Sequence, residues 1–234
     1  MSPLLVGPTR LAVLGPPGSD KDIVTELVAA RLGLPAIRLD VIAKAAIRAK
    51  TPAGIQATRH MSAGELVPRA VVLGLVRDRL AQPDAGPGFV LCGLPNLAVP
   101  ATALDSMLAE LGAPLDRVVD LVLTDAEVLR RLTGRRMCRA CGTVWHTGSA
   151  PPARPGVCDR CGGELPQRYD DSPERVTGGL ASYRPATAPA LDHYHSLGKL
   201  LSVDATPPPT EIATAVVLTL VNPPARDREG FGSS

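Results

Sequence analysis

Aromatic side chains are scarce in this chain. Two Phe, three Tyr and one Trp make up 3% of 234 residues, while apolar residues make up 45%. A core of ordinary size is therefore within reach, but it has to be built from Leu, Val, Ile and Ala. Strong charge of either sign is also missing. The net charge is +2 and no basic run is long enough to track a phosphate backbone, so composition gives no case for nucleic acid. No apolar stretch approaches the ~18 residues of a membrane span, and no charged-then-apolar leader is visible. The expectation is a soluble, cytoplasmic protein with no membrane partner. Internal repeats are absent. Cysteine is rare, with five residues, but four of them fall between positions 138 and 161. That clustering fits metal binding in a reducing compartment better than disulfides.

What is present is organised around Arg10–Leu32. A buried strand (Leu11–Leu14), a Gly/Pro loop (Gly15 to Asp22) and an amphipathic helix follow one another, with apolar residues at 23, 24, 27, 28 and 32 giving the helix one buried face. Such a strand–loop–helix, with Lys21 in the first helical turn, is the scaffold of a phosphate cradle. Backbone N–H groups and the helix N-terminus attract the anion, and the lysine adds a point charge. The motif G-x-x-x-x-G-K-[ST] is incomplete, because Asp20 stands where glycine belongs and Asp22 where a small or hydroxyl residue belongs. A plain strand-to-helix turn explains this stretch equally well.

Further along, Met1–Thr9 reads as a loose lead-in and Ala36–Leu39 as a short second strand. Two helical pieces, 40–48 and 54–61, are divided by Thr51-Pro52, and Pro68 suits the first turn of the next helix. Phe89–Cys92 is a continuous apolar strand of the kind found in parallel sheets, followed by the loop Gly93-Leu94-Pro95-Asn96 at its C-terminal end. A helix over 104–111 and a strand over 118–123 come next. Thr124 and Glu127 have capping-box spacing, for a helix ending at Thr133. A helix from Asp171-Ser172-Pro173 is weakened at Gly178-Gly179 and interrupted at Pro185; Leu200–Val203 is a fifth strand, a last helix carries Ile212 to Leu220, and Asn222–Ser234 is a loose tail. Strands alternating with helices give a doubly wound α/β fold.

Cys138-x-x-Cys141 and Cys158-x-x-Cys161 are two knuckle-like pairs, followed by Gly142 and by Gly162-Gly163. Two such turns present four thiolates to one tetrahedral ion, zinc or iron, in a closed structural site with no water left to activate. Cys92, alone in its strand, reads as core. His146, beside Trp145, reads as a packing or hydrogen-bonding residue rather than a fifth ligand.

Together these pieces resemble the adenylate kinase family, in the subgroup whose lid is stapled by zinc. The resemblance runs from about Leu11 to Leu220. Its most specific part is Gly134-Arg135-Arg136 with the four cysteines, Gln167-Arg168 and Asp170-Asp171; Gly15, Pro17, Gly18 and Lys21 match the phosphate loop. The resemblance implies a P-loop nucleoside-monophosphate-kinase-like fold, with a parallel five-stranded sheet, helices on both faces and a small zinc-ribbon lid. It divides the chain into a core (1–37, 68–133 and 172–222), a monophosphate-binding arm (38–67), a lid (134–171) and a tail (223–234). It implies nucleotide contacts at Gly15, Pro17, Gly18, Ser19, Lys21, Lys44 and Gly93, and catalytic roles for Lys21, Arg131, Arg135, Arg168, Asp170 and Asp171. It also implies ATP with Mg²⁺, structural Zn²⁺ at Cys138, Cys141, Cys158 and Cys161, and a monomer.

Phosphoryl transfer asks the protein mainly to position two nucleotides and neutralise charge. Several positions with that task depart from the family's pattern. Asp20 and Asp22 replace glycines, Ile23 a threonine near the metal, and Cys92 the metal-side aspartate. Lys44, Asn96 and Gly179 replace arginines, Pro100 the glutamine that reads adenine, and Leu39 a threonine at the acceptor end. A carboxylate ~5 Å from a triphosphate repels it by ~3 kcal/mol per charge at an effective dielectric near 20. An aspartate is also expected to close conformations that backbone cradling needs. The leading expectation is therefore an adenylate-kinase-like protein that is catalytically impaired or inactive, with ATP and Mg²⁺ held weakly. The alternatives are a working nucleoside monophosphate kinase with an altered acceptor, for which Arg38 could substitute as a phosphate contact, and a zinc-ribbon interaction or nucleic-acid module.

Overall fold

The computed structural model describes residues 9–96 and 98–221. At its centre lies β1 (Thr9–Leu14), whose last four residues are buried because the strand is covered on both faces. It pairs in parallel with β3 (Gly88–Cys92) on one side and β4 (Arg117–Val122) on the other. β2 (Ala36–Arg38) adds beyond β3 and β7 (Leu200–Asp204) beyond β4, giving the order β2-β3-β1-β4-β7, all parallel. Thr9 thus belongs to the central strand rather than to a lead-in. The readings made for Met1–Pro8 and Asn222–Ser234 lie outside the described residues.

Helices cover both faces. On one, α1 (Lys21–Leu32) and α8 (Pro209–Val221) pack Val24, Val28, Ile212 and Val216 against Leu11 and Val13. On the other, α4 (Arg69–Leu80), α5 (Ala101–Glu110) and the second half of α7 (Pro173–Ser196) bury Leu75, Leu104, Leu108 and Tyr194 against Ala12 and Leu91. Tyr194 is the largest fully buried side chain, and its hydroxyl donates to Asp105 Oδ1 at 2.9 Å. The buried stripe of α1 is Val24, Thr25, Val28 and Ala29; Ile23, expected on that face, is 50% exposed. It lies one helical step (~100°) from Val24, which turns it off the stripe.

α7 runs unbroken for 24 residues, contrary to the expected interruption at Pro185. Pro185 and Pro189 are both exposed, as are Ala181 and Pro185, whose carbonyls their rings displace, so the freed groups lie on the solvent side of the helix rather than in the core. Buried Val176, Leu180 and Tyr194 hold the opposite side in place.

Two smaller units extend from the sheet. α2 (Leu39–Arg48) and α3 (Pro52–Ser62) form a tight helical pair, with the Thr51 hydroxyl accepting from the Gly54 N–H at 3.1 Å as the α3 cap. After α6 (Asp125–Gly134), which is capped by the Thr124 hydroxyl at the Glu127 N–H as the spacing predicts, β5 (Arg135–Met137) pairs antiparallel with β6 (Val144–His146) at the base of the cysteine segment. No described helix is long and apolar enough to cross a membrane.

Candidate functional site

The loop between β1 and α1 keeps the shape of a phosphate cradle. Gly18 has φ 80° and Asp20 has φ 55°, the left-handed region. Asp20 therefore does not close off the conformation, as expected of it; aspartate is among the few non-glycine residues that tolerate that region. Its side chain makes no cap bond to α1 and lies instead 3.8 Å from Arg131. Burial pushes the Asp20 carboxyl above its ordinary pKa of 3.8, with Arg131 opposing. Ser19 is fully buried, and its hydroxyl sits where a side chain on Gly15 would collide at 2.6 Å. That hydroxyl makes no hydrogen bond among the described residues.

Asp22 turns the other way. The Cys92 thiol donates to its Oδ1 at 3.1 Å, and Arg38 lies 3.8 Å from its other oxygen. Burial pushes the Cys92 thiol up to about 12, so it is a neutral donor at physiological pH. Cys92 is core, as read from its strand, but it also fixes a loop carboxylate. Arg38 is shared among Glu26 at 2.8 Å, Asp40 at 3.2 Å and Asp22. Lys21 opens α1 half-buried and makes no ion pair among the described residues.

Arg131 acts as a clamp. Its Nη1 donates to Gly18 O at 3.1 Å, its Nη2 to Ala205 O and Thr206 O at 2.9 and 2.8 Å, and its Nε to Glu127 at 2.7 Å. Glu127 also accepts two bonds from Arg130, which together with Arg131 hold its carboxyl down to about 2. Arg135 forms a two-bond pair with Asp171, at 2.6 and 2.9 Å, and Asp171 is 1% exposed. Asp170 and Arg168 are exposed. Lys44 is 68% exposed and 3.6 Å from Asp40. Asn96 is consumed by its own turn, with Oδ1 accepting from the N–H groups of Ala98 and Val99 at 3.0 Å each. Gly93, at φ 75°, donates to Val13 O.

Two cavities flank the loop. One, of about 460 Å³, is lined by Gly18, Asp20, Arg131 and Arg135 together with β6 and Pro207–Pro209. The other, of about 580 Å³, is lined by Pro17, Arg135, Asp170 and Asp171 with α7. Lys21, Lys44, Gly93 and Arg168 line neither. Glu127, Trp145 and the Pro207–Pro209 wall were not among the expected site residues, Glu127 being read only as part of a helix cap and Trp145 only as a neighbour of His146. Glu127 was accessible through its (i, i+4) spacing to Arg131; the wall was not, because it meets the loop only in the folded chain.

The cysteine segment closes on itself. The four Sγ atoms lie within 4.8 Å of one another, with Cys138–Cys161 at 3.4 Å and Cys141–Cys158 at 3.7 Å. A tetrahedron with metal–sulfur bonds of about 2.3 Å has edges of about 3.8 Å, so these thiols fit a tetrahedral ion. Gly142 (φ 71°) and Gly162 (φ 73°) turn the two knuckles in matching fashion. A side chain on Gly163 would reach within 2.9 Å of Cys138 Sγ. The Thr143 hydroxyl, 3.2 Å from Cys141 Sγ, holds that thiol down to about 6, toward the ligating form. His146 is no ligand here. Its Nδ1 accepts from the N–H groups of Gly148 and Ser149 at 3.0 Å, which leaves Nε2–H to donate to Arg130 O at 3.2 Å.

Comparison with known proteins agrees with this geometry. The family model for adenylate kinase matches residues 13–199. The adenylate kinase of Salinispora tropica is 48% identical over 208 residues, which is 89% of this chain and 96% of that protein. That of Acidothermus cellulolyticus is 45% identical over 211 residues, 90% and 97% of the two chains. That of Carboxydothermus hydrogenoformans is 41% identical over 207 residues, 88% and 97%. A five-stranded parallel sheet with a phosphate-loop scaffold, a four-cysteine segment and relatives matched over nearly their whole length lead to one assignment: the chain belongs to the adenylate kinase family.

Proposed function

We propose that this family member is catalytically impaired in phosphoryl transfer between ATP and a nucleoside monophosphate, binds nucleotide weakly, and keeps a structural zinc ion at Cys138, Cys141, Cys158 and Cys161. The observation that carries the reading is the state of its cations. Arg131 and Arg135, the arginines nearest the loop, are engaged by Glu127, Asp171 and main-chain carbonyls of the same chain. On the acceptor side Asn96 is locked in a turn, and on the helix after the lid Gly179 has no side chain. Removing one preorganised charge donor costs ~10²–10³ in rate, so two such losses put transfer near the limit of detection.

The residues at the end of β3 do not fit Mg²⁺. Ile23 is apolar, Cys92 is a neutral thiol, and the one carboxylate beside them, Asp22, already faces that thiol and Arg38. The four thiols fit zinc, whose role would be to hold the lid fold together. In this reading 38–67 is the monophosphate arm and 134–171 the lid, and the protein works in a reducing, cytoplasmic setting that keeps its cysteines out of disulfides.

A coupled assay with ATP and each common monophosphate tests the proposal. Turnover no higher than that of a Lys21→Ala control is expected. A kcat in the range of ~1–100 s⁻¹ typical of kinases sinks it and favours a working kinase, the reading that the relatives' shared name supports.

A further inference from the structure

Trp145 is the chain's single tryptophan, and its ring packs against Cys138, Cys158 and Leu165 in the cysteine segment. An indole N–H is a donor and nothing else. Here the Nε1–H is buried and has no hydrogen-bond partner among the described residues. Burying a donor in this way costs free energy unless an acceptor is supplied. Packing does not call for it, because a purely apolar ring fills the same kind of space without a polar atom, and a buried tryptophan ordinarily finds an acceptor.

The acceptor within its reach is Cys158. Burial pushes that thiol up, and the hydrogen bonds that outweigh burial and bring it below its ordinary value of 9.0 come from the main chain at Arg160, the Trp145 ring and the main chain at Cys161. The ring nitrogen is thus near enough to act on the Cys158 sulfur, although it does not reach full hydrogen-bond geometry with a neutral thiol. A thiol sulfur is a weak acceptor, whereas a thiolate bound to a cation keeps negative charge and draws an N–H more strongly. Thr143, two residues earlier, stands in the same relation to the other knuckle, with its hydroxyl 3.2 Å from Cys141 Sγ. Residues two apart along an extended chain share a face, so this stretch turns one donor toward each knuckle.

We infer that Trp145 is a positioning residue for the metal site, its indole N–H donating to the Cys158 sulfur when the four thiolates hold zinc. The bond draws charge off that sulfur, fixes it at its corner of the site and gives the buried donor its acceptor. Trp145 stands opposite Arg136 in the β5–β6 pairing, so the same bond ties the metal to the ladder that carries Arg135. This rests on the reading that the four cysteines hold zinc, and it names what else holds the ion.

The test exploits the single tryptophan. Supplying benzothienylalanine in place of tryptophan during expression exchanges the N–H for sulfur at position 145 alone and keeps the size of the ring. The zinc-loaded natural chain and the isostere are each titrated with a chelator of known zinc affinity, and Co²⁺-loaded samples of both give the sulfur-to-metal charge-transfer band. The isostere is expected to hold zinc ~10–100-fold more weakly, with the band moved to lower energy because the sulfur has lost a donor. Unchanged helical circular dichroism reports that it folds. In the natural chain, isotope-labelled tryptophan gives a single indole N–H resonance, whose exchange with solvent should slow when zinc is bound. An isostere that holds zinc as tightly as the natural chain, a band that does not move, or an indole proton whose exchange is indifferent to zinc each overturns the inference, the last without any variant. The underlying reading fails separately. A natural chain that takes up no zinc sinks both, whereas full zinc uptake with an unaffected isostere sinks only the role of Trp145.

Discussion

Asp20 concentrates the problem at the scale of single residues. Its sequence position suggests a lost glycine, yet its backbone holds φ 55°, so the loop's shape survives and the change is one of charge. Burial raises its carboxyl above 3.8. A raised pKa means the folded state holds the proton more tightly than the unfolded state, so stability from this group is full below 3.8 and is lost as pH rises through the shifted value. Asp20→Asn should therefore leave stability unchanged below pH 3.8 and raise it at neutral pH. The side chain is still 45% exposed and its pairing with Arg131 is long, so the gain should stay below ~1 kcal/mol. Thermal melts of both proteins across that pH range check the sign; a variant less stable at pH 7 would mean that the Arg131 contact outweighs desolvation. Asp22 shows what the sequence could not supply. Its partner Cys92 is 70 residues away, and the two meet only because β3 pairs beside β1.

Among the elements, the α2–α3 pair depends on one absent side chain. A Cβ on Gly54 would lie 2.2 Å from the Ala46 carbonyl oxygen, a backbone atom that cannot step aside alone. Gly54→Ala should force the helices apart and cost ~1–3 kcal/mol or more. Gly74, inside α4, has only the Ala53 Cβ at 3.9 Å in reach, an ordinary contact. Gly74→Ala should therefore stabilise the protein by ~0.5–1 kcal/mol through helix propensity. Denaturant melts that fail to separate the two substitutions in sign would contradict this packing. The cysteine segment offers its own probe, since Trp145 is the chain's single tryptophan and packs against Cys138, Cys158 and Leu165. Metal binding is coupled to folding in such segments. A strong chelator should red-shift the tryptophan emission while the core's helical circular dichroism persists, and elemental analysis should find about one zinc per chain. Protein purified without chelator and carrying neither zinc nor iron would overturn the zinc assignment.

For the whole molecule, the donor and acceptor sides should respond separately. Asp20→Gly with Asp22→Gly removes two repelling charges and should raise ATP affinity, yet turnover should stay at background because Lys44, Asn96 and Gly179 still lack the guanidinium groups that transfer needs. Gly179→Arg has open space for its side chain, so adding it with Asn96→Arg is the combination that should bring turnover up; activity from the loop change alone would show that the acceptor side was never broken. The alternation of strands and helices, the loop between β1 and α1 and the two cysteine knuckles were legible in the sequence because their causes are local: apolar periodicity, glycine at left-handed positions and ligand spacing. The prolines of α7 misled for the matching reason. Their local cost is real, but their exposed placement, which cancels it, depends on which side of the helix is packed. Which carboxylate meets which cation was decided only by the tertiary structure. Arg131 reaches Gly18 across 113 residues and Arg135 reaches Asp171 across 36. A charge's identity is written in the sequence, but its partner is set by the fold that brings distant segments within a few ångströms.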